Sequence, residues 1–317
     1  MGRIIIDDAL NGLKQLDDCS VNMCVTSPPY YNLRDYGIAG QIGTEETPEE
    51  YIERLTEVFR EVRRVLKNDG TLWVVISDSY AGSQKGRQGN GVVLPENISK
   101  KQMSNNGSHI GVLKKTTAAG CKNKDLIGIP WLFAFALRAD GWYLRSDIIW
   151  EKPNVFPESV KDRCTRSYEH IFMFAKQRNY YYNAKAIQEP VSEVSIKRGE
   201  YGWHGKGDNG EGNYAGLGAV EKLAGRMVHE EGRNKRDVWR VNTASYREAH
   251  FATFPPELIR PCILAGSREG DVVLDPFMGS GTTALVALRE KRDYVGVEIQ
   301  PEYEELIKRR ISSVQGG

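Results

Sequence analysis

The chain has 317 residues, of which 40% are hydrophobic and 27% charged, and its mean hydropathy is -0.48. This composition is typical of a globular protein and excludes the collagen-like, disordered and disulfide-scaffold classes. Its 43 basic and 42 acidic side chains give a net charge of +1, which is too balanced to indicate a nucleic-acid partner. No segment approaches the roughly 18 uninterrupted apolar residues of a membrane helix, and acidic residues follow the first isoleucines too soon for a signal peptide. We therefore expect no membrane partner.

The cysteines are odd in number and scattered. They occupy positions 19, 24, 121, 164 and 262, and no two form a CxxC pair. This usage predicts a reduced, cytoplasmic protein without structural zinc. The sequence suggests no metal ligand.

The first half of the chain alternates strand and helix patterns. Val21–Thr26 is a short apolar run that prolines terminate, which predicts a strand. Residues 47–50 combine a capping box with a proline at the first helical position, and apolar residues recur behind them at helical spacing. Residues 68–70 (Asn-Asp-Gly) predict the end of this helix. The apolar run 72–76 predicts a strand buried on both faces of a parallel sheet.

The second half repeats this alternation. It predicts helices over 131–139 and Thr282–Arg289 and one from Pro301 onward, and strands over 143–150, 171–174, 272–274 and 294–299. Strands that alternate with helices predict an α/β fold with a parallel sheet covered on both faces.

Two segments interrupt this framework. Residues 81–123 are rich in Gly, Ser, Asn and Lys, and residues 199–232 are dense in glycine, so both predict loops or a small appended region. The stretch 80–125 holds eight basic residues against two acidic ones, a local charge that suits a phosphate backbone. A solvated loop without a partner is the alternative. Candidate DNA-binding residues here are Lys85, Arg87, Lys100 and Lys101.

Residues 272–283 read as a strand, a tight glycine turn and the start of a helix. Gly279 and Gly281 allow the backbone to pass close under a ligand at the carboxyl edge of a sheet. Asp275 offers an acceptor, and the helix start offers free N–H donors. Glu298 ends the next strand, where doubly wound folds hold the ribose hydroxyls of an adenosine. Candidate cofactor-binding residues are Thr26, Asp275, Pro276, Phe277, Gly279, Gly281, Thr282 and Glu298.

The turn also indicates which adenosine cofactor it suits. It lacks the Gly-Lys-[Ser/Thr] of a triphosphate-binding loop and the third glycine of a dinucleotide fingerprint. An acidic residue inside the turn suits a cofactor with an amino group and no phosphates, which describes S-adenosylmethionine. A Rossmann-like turn without this ligand is the alternative.

Ser27, Pro28, Pro29 and Tyr30 follow a strand and are the candidate catalytic residues. The two prolines hold the backbone rigid, so the Ser27 side chain and the Pro28 carbonyl can accept both protons of an exocyclic amine on cytosine or adenine. Tyr30 would stack on a base flipped out of the duplex. A cytosine-C5 enzyme would need a cysteine nucleophile, and Cys24 lies on the preceding strand instead. A turn that merely ends the strand is the alternative.

In this order, the motifs resemble the amino-group-specific DNA methyltransferases of the permuted (β) order, in which the Pro-Pro-Tyr motif precedes the cofactor motif. Residues 72–80, 142–154 and 168–174 resemble intermediate motifs of that family. Residues 250–256 resemble its segment that closes over the methionine end of the cofactor, which implies His250, Phe251 and Phe254 as cofactor-binding residues. The resemblance implies a Rossmann-like methyltransferase fold, S-adenosylmethionine and a variable target-recognition region.

The same resemblance implies a domain organisation. Residues 1–184 are expected to form the catalytic part with the basic insertion 81–125, residues 185–240 the target-recognition region, and residues 241–317 the cofactor-binding part of the same domain. A basic cluster before this last part, Arg233, Lys235 and Arg236, would position phosphates. Trp239 beside it belongs either to this cluster or to the core.

The resemblance implies methyl transfer to an exocyclic amine of double-stranded DNA by an enzyme of the cytoplasm and nucleoid. Ser27 favours cytosine N4, because serine is commoner in those members, while adenine N6 is the main alternative. Methylation of RNA or of a protein amide, and binding without catalysis, are further alternatives. A homodimer and a separate restriction endonuclease are partners that the sequence leaves open.

Overall fold

The computed structural model describes residues 2–33, 37–38, 40–82, 120–191, 232–243 and 254–315. The chain divides into a larger unit, Met1–Tyr182 with Asp237–Gly317, and a smaller unit, Asn183–Arg236. In the smaller unit the described residues include one turn of 3-10 helix, Ala184–Ile187.

The larger unit carries the sheet and the helices that cover it. Along the described residues the elements are β1 (Arg3–Ile6), α1 (Ala9–Lys14), β2 (Val21–Thr26), α2 (Pro48–Val65), β3 (Leu66–Ile76), α3 (Ile129–Ala139), β4 (Tyr143–Glu151), β5 (Tyr168–Ala175), β6 (Val238–Arg240), α4 (Pro256–Gly266), β7 (Val272–Asp275), α5 (Thr282–Arg289), β8 (Asp293–Glu298) and α6 (Tyr303–Gln315). Of these helices, none is long and apolar enough to span a bilayer.

The strands form one sheet in the order β1-β8-β7-β2-β3-β5-β4-β6. The first five strands in this order, β1, β8, β7, β2 and β3, are parallel to one another, and β6 is parallel to β4. Strand β5 runs antiparallel to both β3 and β4. The predicted α/β fold with a mostly parallel sheet is therefore confirmed. The strand over residues 72–76 was expected to have parallel neighbours. This is correct for β2 but wrong for β5, which is antiparallel to it.

Helix α2 forms as its sequence predicts. The Thr47 side chain accepts from the backbone N–H of Glu50, the Glu50 carboxylate accepts from the N–H of Thr47, and Pro48 occupies the first turn. Its buried face includes Tyr51 and Phe59, and the Phe59 ring meets Phe133 of α3 edge-on at 5.2 Å. These contacts place α2 and α3 together on one face of the sheet.

The start of β3 differs from the prediction. The strand begins at Leu66, directly after α2, instead of at residue 72. Leu66 pairs with Val21 of β2, and this pairing draws the Asn-Asp-Gly sequence into the sheet, so the helix ends at Val65, three residues before the predicted end at 68–70. Gly70 suits that position because a Cβ there would lie 2.9 Å from the Lys67 carbonyl and 3.0 Å from the Asn22 carbonyl.

Four elements have weak sequence signals and were not predicted: β1, α1, β6 and α4. Strand β6 has three residues, and helix α4 carries Pro261 in its interior, which removes a hydrogen-bond donor and masks the helical pattern. Residues 238–240 fall within the predicted recognition region 185–240, but they form β6 beside β4 in the larger unit. Trp239 is 4% exposed, so it belongs to the core.

Candidate active site

The carboxyl ends of three neighbouring strands meet at one edge of the sheet. Thr26 ends β2, Asp275 ends the adjacent β7, and Glu298 ends β8. In open α/β sheets this edge is where ligands bind. The sequence candidates for catalysis and for cofactor binding therefore converge on one place.

Asp275 lies behind this edge as a buried hydrogen-bond acceptor. Its Oδ1 accepts from Thr26 Oγ1 at 2.6 Å and from the Phe277 N–H at 3.0 Å, and its Oδ2 accepts from Thr283 Oγ1 at 2.6 Å. The side chain is 2% exposed, and this burial raises its pKa to about 6 although the three donors act to lower it. Asp275 thus joins β2, the glycine turn and helix α5.

The glycine turn brings the backbone close to its neighbours. Gly281 has a φ of 79° at the N-cap of α5, a conformation that favours glycine. A Cβ on Gly281 would lie 2.9 Å from Ile307 Cγ2 of α6, so a side chain is also excluded by packing. The turn is pinned to β8 by the Met278 N–H, which donates to the Val297 carbonyl at 2.8 Å. The first turn of α5 consequently presents its N–H groups to the edge of the sheet.

Glu298 faces the same turn. Its Oε2 accepts from the Gly279 N–H at 2.7 Å, and its Oε1 accepts from the Gln300 N–H at 2.9 Å. Burial raises the pKa of this carboxyl to about 7, and the two backbone donors partly offset the effect. Each carboxylate oxygen can accept a second hydrogen bond, so the group has capacity for two ligand hydroxyls.

A cavity of about 600 Å³ lies over this edge. Its volume falls in the range of small-molecule sites. Its lining includes Glu298, residues 276–280, and Asp8 and Asn11 at the start of α1. Residues 27–30, Lys152 and Glu169 line it as well.

Hydrogen bonds to the carbonyl oxygens of Pro29 and Tyr30 hold the Pro-Pro-Tyr loop in place. The Tyr51 hydroxyl of α2 donates to the Pro29 carbonyl at 2.8 Å, and the Leu33 N–H donates to the Tyr30 carbonyl at 3.2 Å. None of the described residues donates to the Pro28 carbonyl. This oxygen is therefore an acceptor that the described chain leaves available beside the cavity.

Tyr30 is tied to two residues that the sequence analysis did not single out. Its hydroxyl donates to Glu169 Oε2 at 2.6 Å, and the Lys152 ammonium bonds Glu169 Oε1. Burial and then the Glu169 charge raise the pKa of Tyr30 well above its ordinary value, with the neighbouring Ser27 hydroxyl acting in the opposite direction. The phenol is consequently a hydrogen-bond donor at neutral pH. Both partners lie within segments that resemble family motifs, 142–154 and 168–174, which was the available signal.

The structure brings most of the candidate residues together. Ten of them line the cavity: Ser27, Pro28, Pro29, Tyr30, Phe254, Pro276, Phe277, Gly279, Thr282 and Glu298. Thr26, Asp275 and Gly281 lie behind this lining. Six candidates lie outside the described residues, namely Lys85, Arg87, Lys100, Lys101, His250 and Phe251.

The basic cluster in the smaller unit surrounds one carboxylate. Glu189 pairs with Arg236 at 3.1 Å, Arg233 at 3.3 Å and Lys235 at 3.7 Å. Burial is the largest single influence on this carboxyl and acts to raise its pKa, but the hydrogen bond and charge of Arg236 and the charge of Lys235 together outweigh it, so the pKa of Glu189 lies below its ordinary value.

Cys24 has no catalytic environment. It is fully buried in β2, and burial together with the Asp275 charge raises the pKa of its thiol. A thiolate nucleophile requires the opposite shift. Within the described ranges, His, Cys, Asp and Glu side chains form no group of three or more that could hold a metal ion.

The fold and the site define a class of protein. A mostly parallel sheet carries a glycine turn, a buried carboxylate at a strand end and the Ser27–Tyr30 loop on one shared cavity. Together these features describe a transferase that uses an adenosine cofactor and acts on an amino group.

Comparison with known proteins identifies the family. The family model of the N6/N4 methyltransferases, described as "DNA methylase", matches residues 21–309. The chain belongs to this family and is an S-adenosylmethionine-dependent DNA methyltransferase that acts on exocyclic amino groups. The residues present fit this cofactor, because the buried Glu298 carboxylate and the open glycine turn face the same cavity.

Related sequences extend over nearly the whole chain. The Type II methyltransferase M.XycI of Xanthomonas campestris pv. cyanopsidis is 47% identical over 304 residues, which cover 96% of this chain and 85% of that protein. M.Cfr9I of Citrobacter freundii, also a Type II methyltransferase, is 46% identical with the same coverage. M.SmaI of Serratia marcescens, a third, is 43% identical over 310 residues, or 98% of this chain and 90% of that protein.

Solved structures share the fold. A protein of Thermus thermophilus, assigned as a DNA modification methylase and complexed with S-adenosyl-L-methionine, superposes with a TM-score of 0.59 at 23% identity, covering 100% of this chain and 96% of that one. The cytosine-N4-specific PvuII DNA methyltransferase superposes with a TM-score of 0.60 at 18% identity, covering 99% of this chain and 90% of that one. At these identities the likeness establishes the fold.

Proposed function

We propose that this enzyme methylates the N4 amine of a cytosine flipped out of double-stranded DNA, within a short specific sequence, as the Type II methyltransferase of a restriction-modification system. One observation carries the proposal. Ser27 and Pro28 line the same cavity as the glycine turn, because they follow β2 and the turn follows the adjacent strand β7. Two acceptors for an amine thus face the site of the methyl donor.

The exocyclic amine of a nucleobase is a poor nucleophile because its lone pair is conjugated with the ring. The Ser27 hydroxyl and the Pro28 carbonyl would each accept one N–H of the amine and localise that lone pair on nitrogen. Pro28 and Pro29 keep the acceptors fixed, since their rings lock φ. S-adenosylmethionine, when bound, supplies an electrophilic methyl group on a sulfonium. The protein therefore needs neither a covalent intermediate nor a base of unusual pKa.

The remaining cavity residues would hold the two ligands. Glu298 would accept hydrogen bonds from the ribose hydroxyls of the cofactor. Pro276, Phe277 and Gly279 of the turn would contact the cofactor through their backbone. Phe254 would cover its methionine end, with His250 and Phe251. Thr26, Asp275, Gly281 and Thr282 would keep the turn in place, which makes them indirect contributors to cofactor binding.

Tyr30 would stack on the flipped base, because enzymes that act on bases draw the nucleotide out of the helix and hold it between aromatic or apolar side chains. Ser27 favours cytosine N4 over adenine N6, because serine is commoner at this position in the cytosine-N4 members of the family that the sequence resembles.

The approach to DNA would use basic side chains outside the cavity. Lys85, Arg87, Lys100 and Lys101 would follow the phosphate backbone, and so would Arg233, Lys235 and Arg236 of the smaller unit, which we propose as part of the target-recognition region. The substrate also suggests the place of action, the nucleoid in the cytoplasm. A homodimer and a separate cognate endonuclease stay predictions.

The test is modified-base sequencing of DNA from cells that express the chain, combined with mass spectrometry of the hydrolysed nucleosides. N4-methylcytosine in one short motif is the expected result, and it also defines the recognition sequence. N6-methyladenine would keep the mechanism and overturn the choice of base. The Ser27→Ala variant is the matched control, because it should leave the same DNA unmethylated.

A further inference from the structure

A buried ion pair of strands β4 and β5 contacts the Pro-Pro-Tyr loop at the same edge of the sheet. Glu169 lies near the start of β5, opposite Trp150 of β4 in the strand register, and Lys152 follows the end of β4. The Lys152 ammonium bonds one oxygen of Glu169, and the other oxygen accepts the Tyr30 hydroxyl at 2.6 Å. The antiparallel hairpin of β4 and β5 is thus connected to Tyr30 through a single carboxylate.

The two charges lose most of their hydration in this position, which costs free energy. The Glu169 and Lys152 side chains are 11% and 16% exposed, and both line the cavity. A buried ion pair adds little net stability, because the desolvation of both charges offsets their attraction. Lys152 is held from a second direction as well, since its Nζ lies 4.3 Å from the centre of the Trp150 ring.

Trp150 is itself fixed. Its indole N–H donates to the Val241 carbonyl at 2.8 Å, just after β6. The order Val241, Trp150, Lys152, Glu169, Tyr30 is therefore a continuous series of contacts from the edge of the sheet to the catalytic loop. Each member restricts the next, and the series ends at the hydroxyl of the tyrosine ring.

We infer that Glu169, anchored by Lys152, is a positioning residue that sets the plane of the Tyr30 ring for stacking on the target base. This inference rests on the proposed function, in which Tyr30 stacks on the flipped base. A tyrosine side chain rotates about two bonds, and the hydrogen bond to Glu169 holds its far end and so restricts rotation about Cα–Cβ. It also restricts rotation about Cβ–Cγ, because a phenolic O–H bond prefers the plane of the ring and Glu169 sets the direction of that bond. The pair therefore acts on catalysis through the base and not through the cofactor.

A double-mutant cycle in the full-length enzyme tests this role. Glu169→Ala in the wild-type background is expected to lower kcat about tenfold, the effect of losing one charged hydrogen bond. In the Tyr30→Phe background, where the hydroxyl is already absent, the same change should cost less than about twofold. The affinity for S-adenosylmethionine should stay unchanged in all variants. Equal losses in the two backgrounds, or weakened cofactor binding, would overturn the inference.

Two further variants test whether the effect of Glu169→Ala comes from leaving the buried Lys152 ammonium without its carboxylate partner. Glu169→Gln keeps an acceptor for the Tyr30 hydroxyl and should restore most of the turnover lost in Glu169→Ala. Glu169→Gln combined with Lys152→Met leaves neither charge and should retain the melting temperature. Glu269→Gln is the matched control, because Glu269 forms an exposed pair with Lys291 at 3.5 Å and lies outside the cavity lining.

A fluorescent base separates this inference from the proposed function. Pyrrolocytosine placed at the target position should lose emission when the wild-type enzyme stacks it on Tyr30, and should keep more of that emission with Glu169→Ala. Equal quenching by both enzymes would refute the positioning role and leave the stacking role intact. Unchanged emission with the wild-type enzyme would refute both.

Discussion

The Thr26 hydroxyl donates a 2.6 Å hydrogen bond to Asp275, which lies 249 residues later in the chain. Thr26 directly precedes Ser27 of the catalytic loop, and Asp275 directly precedes the cofactor turn. One buried contact therefore links the loop proposed to hold the amine to the turn proposed to hold the methyl donor. Methyl transfer depends on such alignment, since misplacement by about 1 Å can cost two orders of magnitude in rate.

Asp275→Ala should weaken S-adenosylmethionine binding by at least about a hundredfold and lower the free energy of unfolding by about 3 kcal/mol, because it leaves two hydroxyls and one N–H buried without their acceptor. Calorimetric titration and thermal unfolding measure the two effects. Asp17→Ala, on the exposed surface, is the control. Undiminished cofactor affinity in a folded Asp275→Ala protein would show that the turn keeps its shape without this carboxylate.

Cofactor binding should depend on pH through Glu298. Its pKa of about 7 means that the carboxylate protonates near neutrality, and only the ionised form can accept two ribose hydroxyls. The dissociation constant for S-adenosylmethionine should therefore rise as the pH falls below about 7, approaching about tenfold per pH unit. Titrations between pH 5 and 8 test this expectation. Glu298→Gln should bind weakly with a flat profile, and a wild-type profile without a slope would contradict the prediction.

The same carboxyl should make the ligand-free protein more stable as the pH falls, whereas cofactor binding should weaken as the pH falls. Its folded pKa, about 7, lies above the usual 4.5 of glutamate, so the native state binds the proton more tightly than the unfolded chain does. The stabilisation from this group is complete below pH 4.5 and is lost as the pH rises through 7. The difference in the free energy of unfolding between the wild type and Glu298→Gln should change across that window. A constant difference would exclude the shift.

Ser27→Ala and Tyr30→Ala should each reduce turnover by at least about a hundredfold, since such groups contribute mainly in the transition state. Their affinity for S-adenosylmethionine should stay within a small factor of the wild type, because the contacts proposed for both residues are with the base and not with the cofactor. Single-turnover methylation assays and equilibrium binding separate these effects. Near-normal turnover in Tyr30→Ala would disprove base stacking on this ring.

Two glycines with nearly the same backbone conformation allow a matched comparison. Gly281 has a φ of 79° and Gly270 has a φ of 81°, but a Cβ would meet Ile307 only at Gly281 and would find open space at Gly270. Gly270→Ala should cost about 1 kcal/mol of stability from backbone strain alone. Gly281→Ala should cost clearly more and should also weaken cofactor binding. Equal costs in thermal unfolding would show that α6 yields to the added methyl group.

Sequence reasoning found the parts of the site that local patterns specify. Asp275 and Glu298 each end a strand, and the glycines between them mark a turn, so their convergence follows from the parallel sheet alone. The resemblance to a methyltransferase family is confirmed by the family match over residues 21–309. Helix α2 was predictable from Thr47 and Pro48, because its capping box is a local arrangement.

Tertiary contacts decided the remainder. Glu169 lies in a segment that resembles a family motif, but nothing local marks the residue itself, and the role inferred for it depends on an antiparallel strand that brings it to Tyr30. Asp275 was expected to reach the cofactor, whereas the structure surrounds it with donors from three elements. The early start of β3 at Leu66 likewise reflects pairing with Val21, which no window of local sequence contains.

Strand β1 occupies one edge of the sheet, and its sheet neighbour is β8, with Arg3 opposite Val295. During translation the first strand therefore leaves the ribosome long before its partner exists. The β7–β8 edge, which carries Asp275 and Glu298, is likewise completed only after residues 293–298 have been synthesised. We therefore expect a nascent chain to bind the methyl donor only after β8 has emerged and paired with β7.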